Sequence, residues 1–381
     1  MDKKRSTRKA VDGMQVIRLP NGGFQETFIT VPAIGSEEPA SLFQRLYDFL
    51  ADNAQLRIVR EDVFGLDIDP FKIRHARGYR VAGIEWPMTW VEEGNGGGGP
   101  IAGVQVHAVS GIDVHPINLE GHTVGTLFED QHARYCVMGG LHPESIEETR
   151  EEQAWETFEI MESALELAGM TFSNVFRTWF YLDDILDWYD EFNGVRNQFF
   201  LERKVCDGLV PASTGIGGGN SAGTAVIAGL LAIQPKGPTV RLQAIPSPLQ
   251  CPAVEYGSSF SRAVELELPG QRRLYVSGTA SIAPGGETCH VGDLRKQVAL
   301  TMDVVAAILE SRRMGWGDVT RMIGYFKHGE DASEFDRYCR DHKLPKIPVI
   351  IAKNDICRDD LLFEIEADAA KLGGPPLAGA N

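Results

Sequence analysis

The chain lacks paired cysteines, long apolar runs and an excess of positive charge, and each absence excludes a class of function. Its six cysteines (Cys136, Cys206, Cys251, Cys289, Cys339 and Cys357) are scattered, with no C-x-x-C pair. That spacing argues against a disulfide framework or a zinc site and fits a reduced, cytoplasmic protein with buried thiols. The longest nearly uninterrupted apolar stretch, Ala225 to Ile233, falls far short of the roughly 20 residues that a spanning helix needs. The basic opening, MDKKRSTRKA, is followed by no apolar core and reads as a loose tail, not an export signal. Lysine and arginine number 37 against 53 aspartates and glutamates, a formal net charge of −16. Such a surface repels phosphate, so neither nucleic acid nor an anionic membrane is an expected partner. No H-E-x-x-H, no Cys/His pairing at zinc spacing and no G-x-S-x-G elbow occurs, which disfavours metal-dependent hydrolysis and a serine triad. An anionic substrate would need locally placed arginines or backbone N–H groups.

What the sequence does contain is repetition. At a constant offset of 144, Gln153 matches Gln297, Val175 matches Val319, Arg177 matches Arg321 and Tyr181 matches Tyr325. Each copy reads as strand (ARYCVMGG, RRLYVSGTASI), amphipathic helix, strand (SNVFRTWFYL, GDVTRMIGYF) and second helix, then a proline and a closing strand pair. Helical period places Trp155, Phe158, Ile160, Met161, Ala164, Leu165 and Ala168 on one stripe. Alternation turns Phe363 and Ile365 one way and Leu362, Glu364 and Glu366 the other. A degenerate third copy lies upstream (QETFITVPA, SLFQRLYDFLADNA, LRIVREDVFG, WPMTWVEE, IAGVQVHAVSG), with the Gly94–Pro100 run as a flexible connection. The expected layout is a tail over 1–20, repeats over 21–120, 121–245 and 246–371, and a second tail over 372–381. Three α+β units, each a mixed sheet with helices on one face, would bury their open sheet faces against one another as an intramolecular pseudo-trimer. Monomer, or a weak homo-oligomer, follows because the interfaces are already satisfied within the chain.

The closing strands differ where chemistry is concerned. Alignment of the copies puts Gln105, Val226 and Glu364 at one position, so only the last copy keeps a carboxylate. A glutamate in a strand facing an inter-unit cleft is desolvated, which favours its protonated form and suits a general acid. A rim glutamate paired with Arg358 is the competing reading. The stretch P211ASTGIGGGN220 is small, polar and glycine-dense; it reads either as an anion nest using Ser213, Thr214 and Gly215 or as an irregular hairpin. Arg177 alternates with Trp179 and Tyr181 on one strand face, which lines a cleft for a flat carboxylate-bearing ring or packs an interface.

With YVSGTASI opening a unit and LLFEIEADA closing one, the chain resembles the RidA/YjgF superfamily, trimers of α+β subunits with ligand clefts between neighbours. Within it, R177TWFYL, N193GVR, P211ASTGIG, Y256GSSFSRA, S277GTASI and D355ICRDDLLFEIEA resemble the chorismatase branch, in particular its 3-hydroxybenzoate-forming type. The resemblance covers the second and third copies well and the first by element order. It implies an enzyme that splits chorismate, a small dicarboxylate, into pyruvate and a ring product without cofactor or metal. It further implies a site between the last two repeats, with Glu364 and Cys357 in catalysis. Arg177, Ser213, Thr214, Gly215, Gly278, Tyr325 and Arg358 are the expected substrate contacts. Two stretches depart from that pattern: Leu182-Asp183-Asp184 is acidic where a basic residue is expected, and Phe326-Lys327-His328 follows Tyr325 where arginine is more typical. Two other readings stay open. A RidA-like imine or enamine hydrolase would want an arginine near the proline-led strand, which here reads P348VII; a non-catalytic ligand-binding pseudo-trimer needs none.

Overall fold

A computed structural model of the protein describes residues 6–66, 86–92 and 99–373. The first unit comprises β1 (Thr7–Val11), β2 (Met14–Asn21), β3 (Phe24–Pro32), α1 (Pro39–Asp52), β4 (Arg57–Gly65), β5 (Met88–Val91) and β6 (Ile101–Ser110). The second comprises β7 (His115–Leu119), β8 (His122–Glu129), β9 (Ala133–Leu141), α2 (Arg150–Leu167), β10 (Val175–Leu182), α3 (Tyr189–Glu202), β11 (Ala212–Gly217) and β12 (Val226–Pro235). The third comprises β13 (Arg241–Ile245), β14 (Ala263–Leu268), β15 (Gln271–Ala280), α4 (Leu294–Ser311), β16 (Val319–Phe326), α5 (Ser333–Asp341), β17 (Val349–Lys353) and β18 (Phe363–Leu372). Each unit forms one six-stranded mixed sheet, and in the third the order is β13-β14-β15-β18-β16-β17. The molecule is thus α+β, three repeated units, each a six-stranded mixed sheet with its helices on one face, joined as an intramolecular pseudo-trimer. Among the described residues no helix is long and apolar enough to cross a membrane.

The helices form where capping and apolar period agree. Thr149 caps α2 in a reciprocal box with Glu152, and Phe158, Met161 and Leu165 make its buried stripe, while Trp155 and Ile160 are only partly covered. Each sheet packs one face on its own helices, as Phe363 and Ile365 do against Val305 and Leu309 of α4. The opposite faces meet at the centre, where Phe64, Tyr181 and Tyr325, one from each unit, lie with ring centroids 6.0 and 6.3 Å from Phe64. The repeated glutamines do one job in two copies. Gln153 Oε1 accepts from Ala225 N and Gln297 Oε1 from Leu362 N, both at 2.8 Å, tying each long helix to the start of its closing strand.

Four expectations need correction. Residues 7–21 are not a tail: β1 pairs with β2 and β2 with β3, because Met14 and Val16 pack into the core of the first unit while Ile17 and Leu19 are buried on the opposite face beside Ala370. The unit junctions lie near 112 and 238, since β7–β8 and β13–β14 are hairpins belonging to the sheets that follow them. Leu372 closes β18; residues 374–381 and the glycines at 94–98 lie outside the described residues. The closing strands also align differently. Phe64 faces Gly103, Tyr181 faces Ile227 and Tyr325 faces Glu364, so Gly103 and Ile227, not Gln105 and Val226, share the position of Glu364. Cross-strand pairing sets this register, and a one-residue slip would turn every side chain to the other face.

Candidate active site

β18 carries three acidic side chains on its inter-unit face, Glu364, Glu366 and Asp368, at the period of two that a strand imposes. Glu364 lines a cavity of ≈ 130 Å³ at the seam of units two and three. It is 4% exposed and, among the described residues, makes no hydrogen bond or ion pair. Burial first, then the neighbouring Glu366, lifts its carboxyl to about 8, against the pull of Arg177 and Arg262. Room for it comes from a β-bulge: the register of β15 on β18 shifts between Val276 and Thr279. Gly278, within that bulge, leaves open the space that a Cβ would take from Glu364 Oε1. The bulge is pinned from unit two, where Ser213 N–H donates to Ser277 Oγ at 2.9 Å and Gly278 N–H to Thr214 Oγ1 at 3.1 Å.

Of the nine expected site residues, six share this cavity: Glu364, Cys357, Ser213, Gly215, Gly278 and Arg358. Cys357 is held as a thiol up to about 12, chiefly by burial and next by Glu364. Arg358 Nη1 donates to the carbonyl of Gly286 at 2.8 Å. Gly215 lets the Tyr189 ring close in, a Cβ there standing 3.3 Å from it. Three residues lie elsewhere. Arg177 is fully buried behind the cavity, outside its lining, with Nη2 2.7 Å from both Glu366 Oε2 and Thr214 Oγ1. Thr214 points the same way, opposite to Ser213 and Gly215 on its strand. Tyr325 is fully buried in the central aromatic cluster.

The glycine-dense stretch is not a loop nest, because β11 runs through it and its N–H groups are spent. Gly217 N–H donates to Asp355 O and Gly218 N–H to Leu182 O. Its glycines are there for close approach: a Cβ on Gly217 would stand 2.8 Å from Asp355 O, and one on Gly218 2.6 Å from Val91.

Two cationic wall residues were not among the expected contacts, Arg196 of α3 and Arg262 ahead of β14. Arg196 donates to Asn193 Oδ1 at 2.5 Å and lies 5.6 and 5.8 Å from the Phe192 and Phe260 ring centres. Arg262 Nε donates to Cys251 O at 2.9 Å. Their signal was present in N193GVR and Y256GSSFSRA, but nothing local marked those arginines as facing inward. Three arginines against Asp190, with Glu364 protonated, leave this wall with a balance of two positive charges. The two departing stretches lie off it: Lys327 Nζ bonds Asp359 Oδ1 at 2.5 Å, and Asp184 pairs with Arg150 at 2.9 Å.

No protein-family model matches the chain. Over 224 residues it is 30% identical to a 3-hydroxybenzoate synthase of Streptomyces hygroscopicus, covering 51% of this chain and 63% of that protein. Over 227 residues it is 30% identical to a chorismatase of Streptomyces rapamycinicus, covering 54% and 66%. The chain therefore spans just under two thirds of these relatives' length. A crystal structure of a chorismatase superposes with a TM-score of 0.60 at 22% identity, over 82% of this chain and 92% of the other. In sequence and in fold, the chain resembles the chorismatases.

Proposed function

We propose that the protein cleaves the enolpyruvyl ether of chorismate, releasing pyruvate, with Glu364 as general acid. The observation that carries this is a buried carboxyl with no partner among the described residues, in a cavity whose arginines suit a dianion. Below about 8 the group holds a proton that it can deliver to the terminal methylene of the enol ether. The oxocarbenium ion so formed faces the new carboxylate, which stabilises it electrostatically. Arg196, Arg262 and Arg358 hold the two substrate carboxylates, while Ser213 and Gly215 shape the wall opposite the acid.

The oxocarbenium ion has two fates. Water attack gives a hemiketal that collapses to pyruvate and a dihydroxycyclohexadiene carboxylate. Participation of the ring hydroxyl, followed by aromatisation, gives 3-hydroxybenzoate and pyruvate with no net water consumed. Cys357 and Gly278, both beside Glu364, support 3-hydroxybenzoate as the product. The resemblance to a protein named 3-hydroxybenzoate synthase adds to that support. The test is incubation with chorismate, pyruvate being read by coupled reduction and the aromatic product by chromatography. Release that survives in Glu364→Gln would remove the assigned acid; absence of any release from the unaltered protein would remove the substrate.

A further inference from the structure

Glu366 lies two residues beyond Glu364 on the same strand face, and the mechanism leaves it unused. Its carboxylate is fully enclosed and saturated by three groups of the facing unit and one arginine of its own. Trp179 Nε1 donates to it at 2.8 Å, Thr214 Oγ1 at 2.5 Å and Arg177 Nη2 at 2.7 Å, and Arg321 Nη2 stands 2.6 Å away. The architecture does not need a carboxylate there. The register places Gln105 of unit one and Gly229 of unit two at the same position, opposite Asp62 and Trp179, as Glu366 is opposite Ile323. Arg60, Arg177 and Arg321, by contrast, occupy their equivalent position in all three units and lie 3.8, 4.3 and 5.1 Å from the Trp179 ring centre. The repeated feature is the arginine; the acid that answers two of them is special to the unit carrying Glu364.

We propose that Glu366 is a positioning residue for the reaction: by engaging Arg177, with Arg321 completing the pairing, it withholds from Glu364 the cation that would otherwise strip its proton. This rests on Glu364 being the acid. A buried ion pair of this kind contributes little net stability once desolvation is counted, so a role in setting the neighbouring group is the better account of its presence. The electrostatics agree in direction. Burial works to raise Glu366, but Arg321 and Arg177, with the Thr214 hydroxyl, hold it below the ordinary carboxylate range, and its lasting negative charge favours the neutral form of Glu364. The other groups facing Glu364 are Tyr325 from β16, Cys357 and Arg358 ahead of β18, Arg262 ahead of β14, and Asp190 with Arg196 from α3. Each of them stays in place when Glu366 is altered.

The test follows the protonation of Glu364 directly, by infrared carboxyl absorption across pH with Glu364→Gln as the blank, alongside the pH limb of pyruvate release. Glu366→Gln keeps the shape and removes the charge. It should lower the midpoint of Glu364 by at least about one pH unit, a tenfold loss of proton affinity. Glu366→Gln combined with Arg321→Gln keeps the buried charge balanced, leaves Arg177 to Glu364, and should lower the midpoint as well. Glu366→Asp keeps the charge and should leave the midpoint where it is. A folded charge-removing variant with an unmoved midpoint, or an aspartate variant that shifts like the glutamine one, overturns the proposal. Because the infrared reading needs no substrate, a protein that fails to split chorismate still decides the question.

Discussion

Replacing Glu364 by Gln should make the folded protein more stable as the pH rises. The carboxyl has an ordinary value of 4.5 when unfolded and about 8 in the fold. The native state therefore binds a proton over an interval in which the unfolded chain has lost it. Its contribution to stability is fully present below 4.5, declines as the pH climbs, and is gone above about 8. That interval corresponds to ~5 kcal/mol at 1.36 kcal/mol for each pH unit. With only 4% of the residue exposed, little of that is screened by solvent. Glutamine has the same shape and no proton to lose, so the variant escapes the penalty. For a chain of 381 residues, ~5 kcal/mol is a difference of ~6 °C in Tm. The assay is thermal unfolding of both proteins at pH 5, 7 and 9. The advantage of Glu364→Gln should be small at pH 5 and widen steadily toward pH 9. Parallel curves for the two proteins would refute the claim that this carboxyl is buried without a partner.

Four further outcomes follow from the same geometry. Pyruvate release should fall as the pH rises through about 8, because the proton is present only below that value; a rate that climbs over this range would point to a base instead. Gly278→Ala puts a Cβ where Glu364 Oε1 sits, so the flexible carboxyl, not the backbone, gives way. The variant should fold with a cost of at most ~1–3 kcal/mol yet lose most of its kcat, and retained turnover would show that the acid tolerates displacement. Arg262→Gln should raise KM by roughly 10- to 100-fold, the worth of one charge-assisted contact to a carboxylate, whereas Lys327→Met, altering an exposed pair with Asp359, should leave KM unchanged. Cys357, held as a thiol up to about 12, should resist alkylation at pH 8 while the exposed Cys206 is labelled; labelling in the reverse order would contradict its protonated state.

Much of this molecule is legible along the chain because its strongest signals are periodic. The offset that relates Gln153 to Gln297 and Arg177 to Arg321 is a property of sequence alone, and it announces two units and their internal order; the first unit follows from element order, and a site at one seam only from the family resemblance. The alternation of Phe363 with Glu364 likewise settles which side chains of the last strand leave the helical core. The hairpins at the head of the second and third units leave little trace in sequence because their first strands, His115–Leu119 and Arg241–Ile245, are short and partly exposed and carry little alternating apolar pattern. Register escaped too, since spacing along one strand says nothing about which residue of another lies opposite.

The fate of the charged residues was decided only in three dimensions. Arg177 has the appearance of a ligand clamp in sequence, and in the fold it is engaged instead by Glu366, 189 residues away, arriving on the face of another unit. Arg196 and Arg262 carry no local mark of function, and become cavity walls only because α3 and the segment before β14 converge on the bulge at Gly278. Local sequence determines period, capping and the face of an element, which depend on neighbours within a few residues. Which charge meets which depends on the packing of whole units, and at this seam that packing left one carboxyl paired with two arginines and the one beside it with none among the described residues.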